Sequence, residues 1–282
     1  MIKKIYRFLN PKFQSLFLDY KVDMKPRYGH GNPAHPQLNA IVEQHRDAYK
    51  VLLTRALDYI DVFHSIKTAS TETDPQLPVY NNGFLPGLDI IAIYTILRQY
   101  QPRKYVEVGS GNSTKVAYKA KVDGDLEMEI TSIDPYPRAE IDQLVQHIIR
   151  EPFENVDLDL ILSLEENDVL FIDNSHRILP NSDSMVFYME VLPLLKPGVI
   201  VHIHDIYLPF DYPQFMCDRA YSEQYGLAMY LLANPDKYVT LFPSYFVSQD
   251  KILASVIQDL WAHENLKNVE KHGGSYWLRI AH

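Results

Sequence analysis

The chain has 282 residues, of which 46% are hydrophobic and 22% charged, as in an ordinary globular protein. Its formal net charge of −9 at pH 7 argues against a nucleic-acid partner, because a surface that binds phosphates must be basic. The single cysteine, Cys217, cannot form an intramolecular disulfide, so we expect a cytoplasmic protein. No apolar run approaches the roughly 20 residues of a transmembrane segment.

Residues 1–80 are predicted to form an N-terminal helical extension. Residues 1–17 space their apolar side chains as an amphipathic helix does. We expect this helix to dock on the body of the protein, or on a second subunit of a homo-oligomer, rather than on a membrane surface. A long helical pattern follows at 38–66, and another at 88–100 ends before Pro102, since the residue before a proline disfavours the helical region.

From residue 104 onward, short apolar strands alternate with helices, which is typical of βαβ units. The clearest of these helices is predicted at about 182–195. Strands are predicted at 105–108, 129–133, 146–150, 169–172, 199–203, 238–247 and 275–280. We therefore predict an α/β, Rossmann-like domain over residues 81–282. Its seven-stranded sheet should be mostly parallel, with an antiparallel C-terminal strand.

A glycine turn follows the first predicted strand and opens a helix. It consists of Gly109, Ser110, Gly111, Asn112 and Ser113. Two glycines allow a close approach of the backbone, and the free N–H groups of the helix can meet a polar ligand. Asp134 ends the next strand, where its carboxylate can accept hydrogen bonds from both hydroxyls of a ribose. The alternatives are a purely structural turn and an aspartate that only caps a helix.

Two residues distinguish a binding site for a methyl donor from a binding site for a dinucleotide. Thr114 occupies the third glycine position of the dinucleotide fingerprint, which weakens a pyrophosphate site. Glu107 precedes the first glycine by two residues, where a carboxylate can face the amino group of a methionine moiety. The sequence favours S-adenosylmethionine. A nicotinamide-dependent oxidoreductase and a non-catalytic S-adenosylmethionine-binding interaction protein are the two alternatives.

Four segments in this order, VEVGSGNST, ITSIDP, DVLFIDNSH and LKPGVIVHIHDI, resemble class I S-adenosylmethionine-dependent methyltransferases. The nearest resemblance is to a bacterial group of small-molecule O-methyltransferases whose fourth strand ends in F-I-D-x-x-H and whose fifth ends in H-D. It covers residues 80–206 well. It implies that Glu107, Gly109 and Gly111 line the methionine part and that Asp134 holds the ribose, while Ser113 replaces a third glycine common in the family. The full set predicted to bind the cofactor is Glu107, Gly109, Ser110, Gly111, Asn112, Ser113, Asp134 and Asp173.

A polar cluster follows the fourth and fifth strands, where ligands of open α/β sheets bind. We predict His176, His204 and Asp205 as catalytic residues. Three roles compete. Asp173 and Asp205 could hold a divalent metal, Mg or Mn, that acidifies a substrate hydroxyl, with a histidine as a further ligand. His176 or His204 could instead be a general base oriented by Asp205, or the cluster could be a structural network.

The insertion at 207–225 is rich in aromatic residues and could form an acceptor pocket or lid, although packing against the N-terminal helices is an equal alternative. Together these features predict a methyltransferase that acts on oxygen in a small polar molecule.

Overall fold

The computed structural model describes residues 6, 8–11, 14–137 and 139–281. The amphipathic helix predicted at 1–17 lies in part outside the described residues and stays a prediction. None of the helices in the described residues combines the length and the apolar composition that a membrane crossing requires.

The centre of the molecule is a sheet of seven strands, as predicted. The strands are β1 Lys104–Val108, β2 Glu129–Ile133, β3 His147–Ile149, β4 Val169–Ile172, β5 Ile200–His204, β6 Tyr238–Pro243 and β7 Ser275–Ile280. Their order is β3-β2-β1-β4-β5-β7-β6. Strands β1 to β5 are parallel, and β7 runs antiparallel between β5 and β6. The central strand β4 is buried along its whole length, as expected for a parallel strand covered on both faces.

Helices cover both faces of the sheet. They are α1 Pro36–Glu43, α2 Arg46–Ala56, α3 Ile60–Ser65, α4 Gly87–Tyr100, α5 Asn112–Gly124, α6 Asp159–Leu162, α7 Asp183–Val186, α8 Gln214–Cys217, α9 Glu223–Ala233, α10 Ser244–Gln249, α11 Lys251–Ser255 and α12 Gln258–Ala262. Single 3-10 turns lie at Leu57–Tyr59, Phe153–Asn155, Leu192–Leu194 and Glu264–Leu266.

Two predicted helices are interrupted. The pattern at 38–66 forms three helices, with breaks at 44–45 and at the 3-10 turn Leu57–Tyr59. The helix predicted near 182–195 continues from α7 into a π turn at Phe187–Val191 and then a 3-10 turn. Pro193 explains the second break, because it lacks an N–H and its ring clashes with the preceding turn.

The N-terminal helices share one hydrophobic core with the sheet. Leu53 of α2 and Phe63 of α3 belong to the same buried cluster as the strands. Tyr49 of α2 packs edge-on against Phe242 of β6, with ring centroids 6.2 Å apart. These contacts place the helices of the predicted extension against the body. A domain boundary near residue 80 stays a prediction.

Candidate active site

The register of the sheet brings three strand ends together. Val108 of β1 pairs with Ile133 of β2 on one side and Ile172 of β4 on the other. The next residue of each strand is therefore Gly109, Asp134 or Asp173. These three neighbours sit at the carboxyl edge of the sheet, where open α/β folds bind ligands.

Gly109 is required by the close approach of two chains. Its φ is +82°, and a Cβ built on it would lie 2.0 Å from the carbonyl oxygen of Asp173. Gly111 differs, because its φ of 175° is extended and a Cβ there would meet nothing within 4 Å. Gly109 is thus needed for the fold, whereas the space beside Gly111 is open.

This contrast predicts opposite outcomes for two matched variants. Gly109→Ala should lower the free energy of unfolding by about 2–4 kcal/mol through backbone strain and the clash with Asp173. Gly111→Ala should unfold at the wild-type denaturant concentration but bind a ligand of the turn less tightly. Urea unfolding followed by circular dichroism measures the first effect, and equal stabilities of the two variants would contradict the packing described.

Asp134 is fixed beside the glycine turn. Ser110 N–H donates to its Oδ2 at 2.8 Å, and Tyr136 N–H donates to its Oδ1 at 2.7 Å. A carboxylate has about four acceptor positions, so each oxygen can accept a further hydrogen bond. Asp134 lines a cavity of about 310 Å³ together with Phe153, Asp173 and Asn174, which we name the Asp134 cavity.

Glu107 is fully buried behind the turn. Thr114 Oγ1 donates to its Oε2 and accepts from Gly111 N–H at 3.0 Å. Its other oxygen, Oε1, makes no hydrogen bond with any described residue. Burial raises the pKa of Glu107 to about 8 against the opposing influence of nearby hydroxyls. An unpaired buried acceptor of this kind fits a cationic or hydrogen-bonding ligand group.

A second cavity, of about 240 Å³, lies on the turn itself, and we name it the glycine-turn cavity. The predicted residues that line it are Ser110, Gly111, Asn112, Ser113 and Asp173. Glu107 does not line this cavity, but Ser110 and Ser113 do. The hydroxyls of these two serines favour the charged form of Glu107 and so lower its pKa. Asn112 also exchanges two hydrogen bonds with the backbone of Val79, so it ties the turn to the N-terminal region.

The third and largest cavity, about 620 Å³, lies over the ends of β4 and β5, and we name it the histidine cavity. Its polar side chains at the sheet are Asp173, His176, His204 and Asp205. Its outer wall includes residues of the predicted aromatic insertion, namely Tyr207, Pro213, Phe215, Met216, Arg219 and Tyr221. The insertion is therefore a wall of this cavity. It also packs through Tyr207, which lies 4.5 Å from Tyr245 between ring centroids.

His176 is held between three carboxylates. Its Nδ1 lies 2.5 Å from Glu223 Oε1, and its Nε2 lies 3.4 Å from both Asp173 Oδ1 and Asp205 Oδ2. Its ring stacks on Tyr221 at 4.6 Å between centroids. Burial alone would lower the pKa of His176, but Glu223 and then the two aspartates outweigh it and raise the pKa to about 9.

His204 stands at the junction of two cavities, since it lines both the glycine-turn cavity and the histidine cavity. Its Nδ1 lies 3.5 Å from Asp173 Oδ1 and 3.7 Å from Asp205 Oδ1, and its Nε2 lies 3.9 Å from Asp89 Oδ2. Burial opposes protonation, but Asp205, Asp173 and Asp89 raise the pKa of His204 to about 10. His202, two residues earlier, has a core role: it is fully buried and stacks on Trp277 at 3.9 Å.

Two carboxylates of the cluster were not found from the sequence. The prediction gave Asp205 the role of orienting the base, whereas Glu223, at the start of α9, contacts His176 Nδ1 and Asp205 faces Nε2. A glutamate in the first turn of a helix is common, so its position did not single out Glu223 as a residue of the site. Asp89 did carry a signal: it is the one acidic residue of the apolar helix α4, and it accepts a hydrogen bond from Gly274 N–H at 2.7 Å.

The predicted metal site gains no support from this geometry. Among the residues that the structure describes, no group of three or more His, Cys, Asp and Glu side chains has the arrangement of a metal site. Asp173 and Asp205 instead face the two histidines at 3.4–3.7 Å.

Residues 106–206 match the model of a family described as a methyltransferase domain. The matched segment covers about a third of the chain. The matched segment includes the glycine turn, Asp134 and the polar cluster up to Asp205. Asp89 of α4 and Glu223 of α9 lie outside the matched segment, although both contact its histidines.

The chain is similar to proteins of several organisms. An uncharacterized protein of Archaeoglobus fulgidus is 32% identical over 117 residues, which are 39% of this chain and 52% of that protein. The match thus spans about half of that relative. A Podospora anserina methyltransferase solved with S-adenosylhomocysteine is 14% identical, with 90% of this chain and 100% of that chain covered and a TM-score of 0.44. A Bacillus cereus O-methyltransferase solved with the same compound is 12% identical, with 82% and 91% covered and a TM-score of 0.36.

Proposed function

We propose that this protein transfers a methyl group from S-adenosylmethionine to an oxygen of a small polar molecule. One observation carries the proposal: Asp173 lines all three cavities. The Asp134 cavity and the glycine-turn cavity adjoin the glycine turn, whereas the histidine cavity contains both His176 and His204. A donor bound in the Asp134 and glycine-turn cavities would thus meet an acceptor in the histidine cavity at the carboxylate of Asp173.

The donor side fits the chemistry of S-adenosylmethionine. Asp134 would accept from the ribose hydroxyls, and the Asp134 cavity continues to Phe153, which offers an apolar face for an adenine. The serine hydroxyls of the glycine-turn cavity, with Glu107 behind them, would hold the methionine part. When bound, the donor supplies an electrophilic methyl on a sulfonium, so the protein has mainly to align it with the acceptor.

The acceptor side supplies a base. We assign His176 as the general base because Glu223 holds Nδ1 and thereby presents Nε2 to the cavity. His204, at the junction, would position the acceptor oxygen with Asp205. We also propose that the protein is cytoplasmic, because its lone cysteine, Cys217, is buried and cannot form a disulfide within the chain.

The proposed base predicts a rise of activity with pH. A histidine protonated below its pKa cannot accept the hydroxyl proton, and that pKa is raised to about 9. A bound sulfonium opposes protonation, so the midpoint with donor present should lie below this value. We expect kcat/KM for the acceptor to increase from pH 6 to pH 8. A rate that is flat or falls over this range would exclude His176 as the base.

The transfer itself can be tested with methyl-labelled S-adenosylmethionine and a panel of small hydroxy compounds paired with the matching amines. We expect labelled methyl ethers or esters, with turnover unchanged after dialysis against EDTA. Label only on nitrogen would contradict O-methylation. Loss of turnover on chelation, restored by Mg or Mn, would assign Asp173 and Asp205 to a cation. Thermal stabilisation by NAD but not by the methyl donor would favour the oxidoreductase alternative.

A further inference from the structure

The mouth of the histidine cavity carries an arginine that the proposed mechanism does not use. Arg219 follows α8, is exposed and lines the cavity. Its guanidinium lies over the ring of Tyr221, 4.5 Å from the centroid. Within the described part of the chain, that guanidinium makes no salt bridge and no side-chain hydrogen bond. Stacking fixes the position of the group and leaves its edge donors available to a ligand.

A neighbouring arginine shows what a structural role looks like here. Arg177 lies over the same ring at 5.2 Å. Its Nε donates to the Arg219 carbonyl oxygen at 2.9 Å and its Nη1 donates to the Ser175 carbonyl oxygen at 3.0 Å. Arg177 therefore joins two loops and does not line the cavity. Among the described residues the side chain of Arg219 makes no such hydrogen bond, and Arg219 lines the cavity proposed for the acceptor.

The walls between Arg219 and the histidines are largely aromatic. Tyr207, Tyr221 and Tyr245 line the cavity, and Met216 adds an apolar surface. A volume of about 620 Å³ lies within the range of cavities that hold small organic ligands. The cavity thus offers a base at one end, aromatic walls in the middle and a guanidinium at the mouth.

We propose that Arg219 binds an oxyanion of the acceptor, so that the acceptor is a small aromatic hydroxy acid. This inference rests on the proposed function only for the statement that the hydroxyl end is methylated. A planar guanidinium pairs with a carboxylate through two parallel hydrogen bonds, and it also binds a phosphonate or phosphate. At the inner end, Asp173 and Asp205 face histidines, which reduces the repulsion that an anion would meet there.

One residue of the histidine cavity, Glu270, favours an acceptor with a positive charge instead of a negative one. Glu270, in the segment before β7, is exposed and also lines it. A cationic acceptor would pair with Glu270 rather than with Arg219. A decisive experiment must therefore compare an acid with its amide and its amine.

Binding can be measured by calorimetry without a methyl donor. The probes are 4-hydroxyphenylacetate, 4-hydroxyphenylacetamide, 4-hydroxyphenethylamine and 4-hydroxybenzylphosphonate. We expect the wild type to bind the acid about 5- to 10-fold more tightly than the amide, as an exposed bidentate pair allows. Arg219→Gln should bind the two equally, and Arg219→Lys should keep part of the preference. The control variant Arg103→Gln makes the same change in net charge at a site before β1, away from the cavity. It should keep the full preference for the acid over the amide.

Three results would overturn the proposal: equal binding of acid and amide by the wild type, tighter binding of the amine, or no binding of any probe at about 10 mM. A preference for the phosphonate over the carboxylate would keep the oxyanion site and identify a phosphate-type acceptor. Titration of S-adenosylhomocysteine into the same proteins separates the two proposals. Arg219→Gln should bind S-adenosylhomocysteine as tightly as the wild type does. If the wild type does not bind S-adenosylhomocysteine, only the proposed donor site is rejected.

Discussion

Replacement of His176 by asparagine should lower kcat for methyl transfer by about 10²- to 10⁴-fold, the contribution usual for a general base. Asparagine keeps a polar side chain of similar width but cannot accept the proton of the acceptor hydroxyl. Donor affinity should change little, because His176 lines only the histidine cavity. Single-turnover rates with the labelled donor, together with calorimetry of donor binding, measure both quantities.

Glu223→Gln distinguishes a positioning role from simple packing. Glutamine keeps the shape of the side chain but removes the charge that helps to raise the pKa of His176. The midpoint of the pH profile should therefore move to lower pH, while the plateau rate falls because the ring is held less firmly. A variant with a lower rate but an unchanged midpoint would show that Glu223 only supports the fold. A His176→Asn variant with wild-type turnover would exclude the base itself.

The second large effect is expected at Asp134. Removing its carboxylate by Asp134→Ala deletes the proposed acceptors for the ribose hydroxyls. Hydrogen bonds to a charged group contribute about 1.5–3 kcal/mol each, so the donor Kd should rise by about 10²-fold or more. The substitution also leaves Ser110 N–H and Tyr136 N–H without their present acceptor.

Two controls separate lost contacts from a displaced loop. Asp134→Asn keeps one carbonyl oxygen and should lie between the wild type and Asp134→Ala in affinity. Asp236→Ala removes an exposed carboxylate before β6 and should bind the donor normally. An unchanged Kd in Asp134→Ala would place the ribose elsewhere. Thermal unfolding of each variant shows whether the turn itself has been disturbed.

The sheet could be predicted because its information is local. Buried parallel strands such as β4 are short, apolar throughout and bounded by polar turns. The residue after each strand could be predicted for the same reason, since carboxyl ends of parallel strands meet at one edge. Asp134 and Asp173 therefore lie near one another, and Asp173 borders all three cavities of the candidate site.

The partners of the histidines depended on tertiary contacts and could not be predicted. Glu223 is 47 residues from His176 in the chain, and they meet only because the start of α9 packs over the end of β4. Asp89 reaches His204 from a helix that precedes the first strand. The sequence showed a charge within an apolar helix at Asp89, but not which side chain it would meet.

The most direct measurement is a crystal structure of the protein with S-adenosylhomocysteine. We predict ribose hydroxyls on Asp134, the methionine part along Ser110 and Ser113, and the sulfur at the Asp173 junction facing the histidine cavity. A ligand bound outside the Asp134 cavity and the glycine-turn cavity would contradict the proposed methyl transfer. So would a ligand whose sulfur is separated from the histidine cavity.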